Sequence, residues 1–210
     1  MVERKSESDE QIARQAQAGC LSSFEELVCR YELRIYRFVN DRCRNSRDAQ
    51  ELTQDVFVAA YRAIDRFDPN RSFVTWLFTI ARRKWIDYLR AHRSFENEEL
   101  PEQADGNDPG ALLVRREAGE DLWRIARAVL PEAQYEALWL RYVEDMEVAE
   151  VARVMRRTRT HVKVLLFRGR LKLERELRGE KFETVRPGSY ARPLIVSKAT
   201  SQLLRPVSGG

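Results

Sequence analysis

Histidine, cysteine, glycine and long apolar runs are all scarce in this chain of 210 residues. It has two histidines and three cysteines, and Cys20, Cys29 and Cys43 form no CxxC pair. The clustered ligands of a zinc site are therefore missing, and no metal or cofactor is expected. An odd cysteine count without a signal peptide points to reduced thiols, expected as buried small hydrophobes, and excludes a disulfide framework. No apolar run approaches the roughly eighteen residues of a membrane span. The opening MVERKSESDE lacks the apolar core of a signal peptide. A cytoplasmic protein with no membrane insertion is the expectation.

What the chain has in quantity is charge. Lys and Arg number 37 against 33 Asp and Glu, so the net charge is only +4 and the average says little about a partner. The distribution says more. From Arg71 to Arg93 there are six cations (Arg71, Arg82, Arg83, Lys84, Arg90, Arg93) and one acid, Asp87, with Phe73, Trp76, Phe78, Trp85 and Tyr88 interleaved. Cations match phosphates, and flat rings stack on unpaired bases. Trp76, in phase with Phe73, Leu77 and Ile80, reads as core. Ahead of this stretch, Asp48, Glu51, Gln54 and Asp55 make a polar face over an apolar stripe of Leu52, Val56, Ala59, Ala63 and Phe67. Asp48 and Glu51 have the spacing of a capping box, as do Ser22 and Glu25, and Ser72 is the expected N-cap of the basic helix.

Two earlier helices precede these, over residues 8–18 and from Ser22 to about Asn40, the second with Phe24, Leu27, Val28, Tyr31, Ile35 and Phe38 in period. Residues 8–93 thus form a four-helix bundle. Residues 94–110 carry six acids and no cation, punctuated by Pro and Gly, which is the composition of a linker. Helical pattern resumes near Leu112 with Leu122, Ile125, Ala126 and Val129. Pro131 opens a helix holding Tyr135, Leu138, Trp139 and Tyr142. Residues 147–155, a turn, and a basic helix from Thr158 to about Leu177 then make a helix-turn-helix. The last helix buries Val162, Leu166, Gly169 and Leu173, and between Arg153 and Arg178 ten cations face two Glu. DNA is the expected partner, although basic amphipathic helices also bind membranes or acidic proteins. Residues 179–210 have three Pro and no clear period, and read as a disordered tail or a partner-binding segment. The fold class is all-α: two small helical domains, 1–93 and 112–178, joined by a flexible acidic linker over 94–111, with 179–210 as an extension.

The first basic block resembles region 2 of bacterial sigma factors of the extracytoplasmic-function (group IV) class. The resemblance rests on Asp48-Ala49, Glu51-Leu52, Gln54-Asp55, Phe57, Phe67-Asp68-Pro69, Phe73, Thr75-Trp76-Leu77, Ile80-Ala81-Arg82, Asp87 and Leu89-Arg90. Residues 130–171 resemble region 4 of the same family. The resemblance implies a subunit that binds core RNA polymerase through its β′ and β subunits, recognises the −35 and −10 elements of promoter DNA and melts the duplex. An anti-sigma factor is implied as a further partner. Asp48, Glu51, Gln54, Asp55 and Phe57 would dock on the polymerase. Asp68, Asn70, Arg71, Arg82, Arg83, Lys84 and Arg90 would hold the −10 backbone and capture an extruded base, since unstacking has to be offset by a pocket. Arg157, Thr160, His161, Lys163, Val164, Phe167 and Arg168 would enter the major groove at −35. The linker would be either a solvated tether or a strand lying in a basic channel of the polymerase.

The chain departs from the family pattern in places. Arg83 stands where Asn is common, and a guanidinium cannot accept hydrogen bonds. Val164 and Leu165 replace a hydroxyl and a cation, and can touch thymine methyls but cannot make bidentate base contacts. Arg156 replaces a frequent glycine at the turn, so a differently built turn is expected there. Two other function classes are weighed beside this one. A helix-turn-helix regulator would act on duplex DNA without polymerase. A DNA-processing enzyme would need a nucleophile or a carboxylate cluster, whereas the acids here serve as caps, docking groups or linker, and no catalytic residue is expected.

Overall fold

The computed structural model describes residues 7–43, 45–93 and 117–178, and these are helical with no strand among them. The expectations for the linker and for residues 179–210 lie outside the described residues. The chain divides between Asp108 and Pro109 into two compact units. The first holds α1 (Asp9–Gln17), α2 (Leu21–Asn40), α3 (Ser46–Ala63), a 3₁₀ turn (Ile64–Arg66) and α4 (Phe73–Arg93).

Helix α1 begins with a reciprocal cap. The Ser8 hydroxyl accepts from the Gln11 N–H at 3.3 Å, and the Gln11 side chain accepts from the Ser8 N–H at 3.0 Å. Gly19, at φ +92°, reverses the chain, and the Cys20 N–H reaches back to the Gln15 carbonyl at 3.1 Å. Both capping boxes expected further on are absent. Helix α2 starts at Leu21 with no side-chain cap, and Ser23 is buried, its hydroxyl donating to Gln15 Oε1 at 2.8 Å. Helix α3 is capped by Asn45, whose side chain accepts from the Asp48 N–H at 2.7 Å. A good cap three residues upstream leaves Asp48 inside the first turn.

The core of this unit follows helical period. Helix α2 buries Phe24, Leu27, Tyr31, Ile35, Phe38 and Val39. Helix α3 buries Ala49, Leu52, Val56, Phe57 and Ala60, so its stripe drifts from the expected Ala59 and Ala63. The helix ends at Ala63, and Phe67 is buried beyond the 3₁₀ turn. Helix α4 buries Phe73, Leu77, Phe78, Ala81 and Trp85, while Trp76 and Ile80, expected inside, are only half-buried. Phe73, Phe78 and Trp85 are thus core residues, closed to base stacking.

The turn between α3 and α4 is held from within and from the side. Phe73 lies 5.6 Å from Tyr31, 5.4 Å from Phe67 and 5.6 Å from Trp76, ring centre to ring centre. The Gln17 amide donates to the carbonyls of Ile64 at 2.8 Å and Phe67 at 2.7 Å. Glu10 accepts from the Phe73 N–H at 3.1 Å, and the Ser72 hydroxyl accepts from the Thr75 N–H at 3.3 Å. Three backbone groups that the turn would leave orphaned are thereby satisfied, one each by Gln17, Glu10 and Ser72, while the Ile64 carbonyl also accepts from the Phe67 N–H at 2.9 Å.

The second unit comprises α5 (Glu117–Val129), α6 (Glu132–Tyr142), α7 (Val148–Met155) and α8 (Arg159–Leu177). Pro131 stands just before α6, at its N-cap position and not in its first turn. Helix α6 runs through the middle, burying Tyr135, Leu138, Trp139 and Leu140, with Trp123 of α5 set edge-on 5.2 Å from Trp139. Helix α8 packs chiefly on α6, with α5 and α7 also against it. It buries Val162, Leu166, Gly169 and Leu173. At Gly169 a Cβ would meet Leu138 Cδ1 at 3.0 Å, so the two helices touch where a side chain is missing.

The cysteines are not buried hydrophobes: Cys20 and Cys29 are exposed and Cys43 is half-buried. Hydrogen bonds from Ser22 and Ser23 lower the Cys20 thiol to about 7, whereas burial, aided by Asp48, raises Cys43 to about 11. Alkylation at pH 7.5 is therefore expected to label Cys20 far faster than Cys43, because the thiolate is the nucleophile. Peptide mapping at short times reads the order. Gln17→Ala is expected to lower stability by about 1 kcal/mol, since the part-buried Phe67 carbonyl loses its donor. A urea melt of the full chain measures it.

Candidate nucleic-acid interface

Three exposed helix faces carry the residues singled out from the sequence. On α3, Glu51, Gln54 and Asp55 are exposed, and Asp48 is half-buried. Phe57 is not with them. It is buried on the core side, because it lies four residues after buried Thr53 and three before buried Ala60, on the inward stripe of the helix. Val58 and Tyr61 take its place on the exposed face, at 47% and 51% exposure, with the Tyr61 ring set against Phe24 at 5.0 Å. The sequence reading passed over both, although their positions four and seven residues after Gln54 put them on its face.

The turn after α3 is organised by Asp68. Its carboxylate accepts from the Asn70 N–H at 3.0 Å and the Asn70 amide at 3.1 Å, and pairs with Arg71 at 3.2 Å. The Asn70 backbone N–H is the first cause holding this carboxyl below its ordinary range, so it stays ionised. Asp68, Asn70 and Arg71 therefore form one self-contained polar loop, with Asp68 shaping it from inside.

Helix α4 does not bring its cations to one face. Trp76, Ile80, Arg83, Asp87 and Arg90 follow one another at spacings of four and three and share the outward stripe, with Arg83 and Arg90 exposed and Trp76 half-buried. Arg90 lies 3.7 Å from Asp87. Arg82 is half-buried beside this stripe. Lys84 turns the other way, toward α3, where it meets Asp55 at 3.2 Å. One turn on, the Tyr88 hydroxyl donates to Asp48. Two residues expected on a docking face are thus tied to the helix expected to hold DNA.

Helix α8 gives the most complete surface. Thr158 caps it, accepting from the His161 N–H at 3.2 Å. Arg157, Thr160, His161, Lys163, Val164, Phe167 and Arg168 are all exposed, opposite the buried Val162, Leu166, Gly169 and Leu173. Leu165 is half-buried at the edge. Exposed cations on a helix behind a tight turn are of the chemistry that pairs with phosphates, on a rod of a size that fits a major groove. Among the described residues no group of three or more His, Cys, Asp or Glu is placed to hold a metal ion, and no helix is long and apolar enough to cross a membrane.

Residues 27–95 match the family Sigma-70 region 2, and residues 127–173 match Sigma-70, region 4. The ECF RNA polymerase sigma factor BldN of Streptomyces coelicolor is 30% identical over 163 residues, which are 75% of this chain and 61% of BldN. SigW of Bacillus subtilis, also an ECF RNA polymerase sigma factor, is 28% identical over 79% of this chain and 94% of its own length. A solved structure of CnrH in complex with the cytosolic domain of CnrY superposes with a TM-score of 0.62 at 27% identity, covering 83% of this chain and all of that one, 100%. The chain belongs to the extracytoplasmic-function group of the sigma-70 family.

In this sigma factor the turn before α8 keeps its left-handed residue despite the loss of glycine. Arg156 sits at φ 52°, ψ 47°. Its N–H and that of Arg157 close the end of α7 on the carbonyls of Arg153 at 3.2 Å and Ala152 at 2.9 Å. The expectation of a differently built turn is therefore corrected: the geometry is retained and the side chain carries the strain. Arg156→Gly is expected to stabilise the protein by about 1 kcal/mol, the penalty of an L-residue in this region. Equilibrium unfolding in urea reads the change, and an unchanged or lower midpoint contradicts it.

Proposed function

We propose that this sigma factor directs promoter-specific initiation as a dissociable subunit of RNA polymerase. The exposed face of α3 docks on the polymerase, on its β′ coiled coil. Its contact residues are Glu51, Gln54 and Asp55 around an apolar centre of Val58 and Tyr61, the pattern of a polar-rimmed interface. Phe57 supports that face from the core, and Asp48 orients it through Tyr88. The loop Asp68–Arg71 and the outward stripe of α4 form the −10 surface. Arg83 and Arg90 hold backbone phosphates, and half-buried Trp76 with the Asp68–Asn70 loop borders the space for an extruded base. Helix α8 enters the major groove at −35. The protein performs no chemistry itself: cations and dipoles offset the cost of unstacking and melting.

The observation that carries this reading is the joint presence of the two matched regions, each with its basic or polar face exposed opposite a packed core. An anti-sigma factor is proposed as a third partner on the family resemblance, and the likeness to CnrH, solved in complex with the cytosolic domain of CnrY, supports a protein partner.

The test is reconstitution with bacterial core RNA polymerase on genomic fragments, with transcript 5′ ends sequenced. Discrete starts preceded by a shared two-part element are expected. A chain that leaves polymerase silent yet shifts duplex DNA is a plain regulator instead. Asp55→Ala is expected to lower transcription at least tenfold while duplex binding through α8 is retained. Normal transcription by that variant would show that α3 is not the docking face.

A further inference from the structure

Helix α8 carries two stripes of the same spacing. Val162, Leu166, Gly169 and Leu173 run at four, three and four residues and are buried. Thr160, Val164, Phe167 and Leu171 run at the same four, three and four, two residues out of step, and face solvent on the opposite side. Val164, Phe167 and Leu171 are 41%, 59% and 37% exposed. This is an apolar seam at the centre of a face whose flanks are the cations Lys163 and Arg168 and the half-buried Arg170. Cations on both sides of the seam call for a polyanion. A polyanion offers apolar atoms in few places. On duplex DNA the major groove offers one on a standard base, the C5 methyl of thymine.

The geometry points to Val164 and Phe167 as specificity-determining residues that read thymine methyls in the upstream element. This deepens the −35 reading of α8 and rests on it. Val164 cannot accept or donate a hydrogen bond, so at its position hydrogen-bonding discrimination is lost and methyl contact is what remains. Phe167 stands almost one turn further on, with the same choice. The flanking Lys163 and Arg168 supply affinity that is insensitive to sequence. The upstream element should therefore contain thymines, on either strand, at the two steps under these side chains. Its strength there should depend on the methyl and not on the thymine carbonyl.

The experiment uses the full chain with core RNA polymerase. Duplexes with a randomised upstream element are selected for binding, and the selected element is remade with deoxyuridine in place of thymidine at one position at a time. That change deletes the methyl and leaves every hydrogen-bonding group in place. The expected result is one or two positions at which deoxyuridine weakens holoenzyme binding about fourfold each, the scale of one buried methyl-sized group. Val164→Ser is expected to bind the thymidine and deoxyuridine forms of its position alike, and Phe167→Ala likewise at the other. Equal binding of both forms at every upstream position by the unaltered chain overturns the inference. If discrete transcription starts are still seen in that case, the sigma reading stands and the seam belongs to a protein partner. If neither starts nor an enriched element is found, both readings fall together.

Discussion

The first unit is organised around the reversal between α3 and α4. That turn must bring a buried ring, Phe73, to the start of a helix whose outer face stays open. Tyr31, Phe67 and Trp76 surround the ring on three sides, at distances suited to edge and tilted aromatic contacts. An apolar cluster alone would leave the backbone of the turn unsatisfied. The amide of Gln17 and the carboxylate of Glu10, both on α1, supply the missing partners. Helix α1 is short and distant in sequence from the turn, yet it sets where α4 begins. The phase of the α4 outer stripe, and the positions of Arg83 and Arg90 on it, follow from that starting point.

Sequence periodicity was a good guide to α8 and to most of α2, and a poorer one to α4. The four buried positions of α8 were all legible, and five of the seven of α2, where Ser23 and Val39 were missed and Val28 is only half-buried. Helix α4 buries an arc that runs from Phe73 and Leu77 round to Phe78 and Trp85. Phe78 and Trp85 fall inside that arc, and Trp76 falls at its edge. No single stripe describes such a helix, and rings read as free for stacking turned out to be core. Phe57 was misread because a large apolar residue among polar ones was taken to be exposed, while the exposed apolar residues of that face are Val58 and Tyr61. Helix starts were misjudged where better or different arrangements lay upstream, at Asn45 and at Gly19–Cys20.

The charged sites were legible as composition and not as geometry. Six cations between Arg71 and Arg93 marked the stretch as strongly basic. Their division among a loop pair with Asp68, an outer stripe and a cross-helix pair with Asp55 depends on three-dimensional phase that residue counts do not carry. The α3 and α4 surfaces are joined by Asp55–Lys84 and Asp48–Tyr88. The exposed Asp55–Lys84 pair contributes little to stability by itself. Its effect lies in position, because it sets Lys84 against α3 and leaves Arg83 and Arg90 facing out.

The matching stripes on α8 raise a question of orientation. Turned by half a revolution about its axis, the helix would present Thr160, Val164, Phe167 and Leu171 to the core at the same spacing. Hydrophobicity alone discriminates weakly between the two settings. The missing side chain at Gly169 does so by shape, because Leu138 comes to 3.0 Å of where a Cβ would be, and the corresponding place on the other stripe is filled by Phe167. Gly169 thus acts as a keyway: it admits α8 in one rotational setting and bars the inverted one by overlap. A fold that leaves an apolar seam outside needs such a lock, since otherwise the seam meant for a partner would compete for the interior.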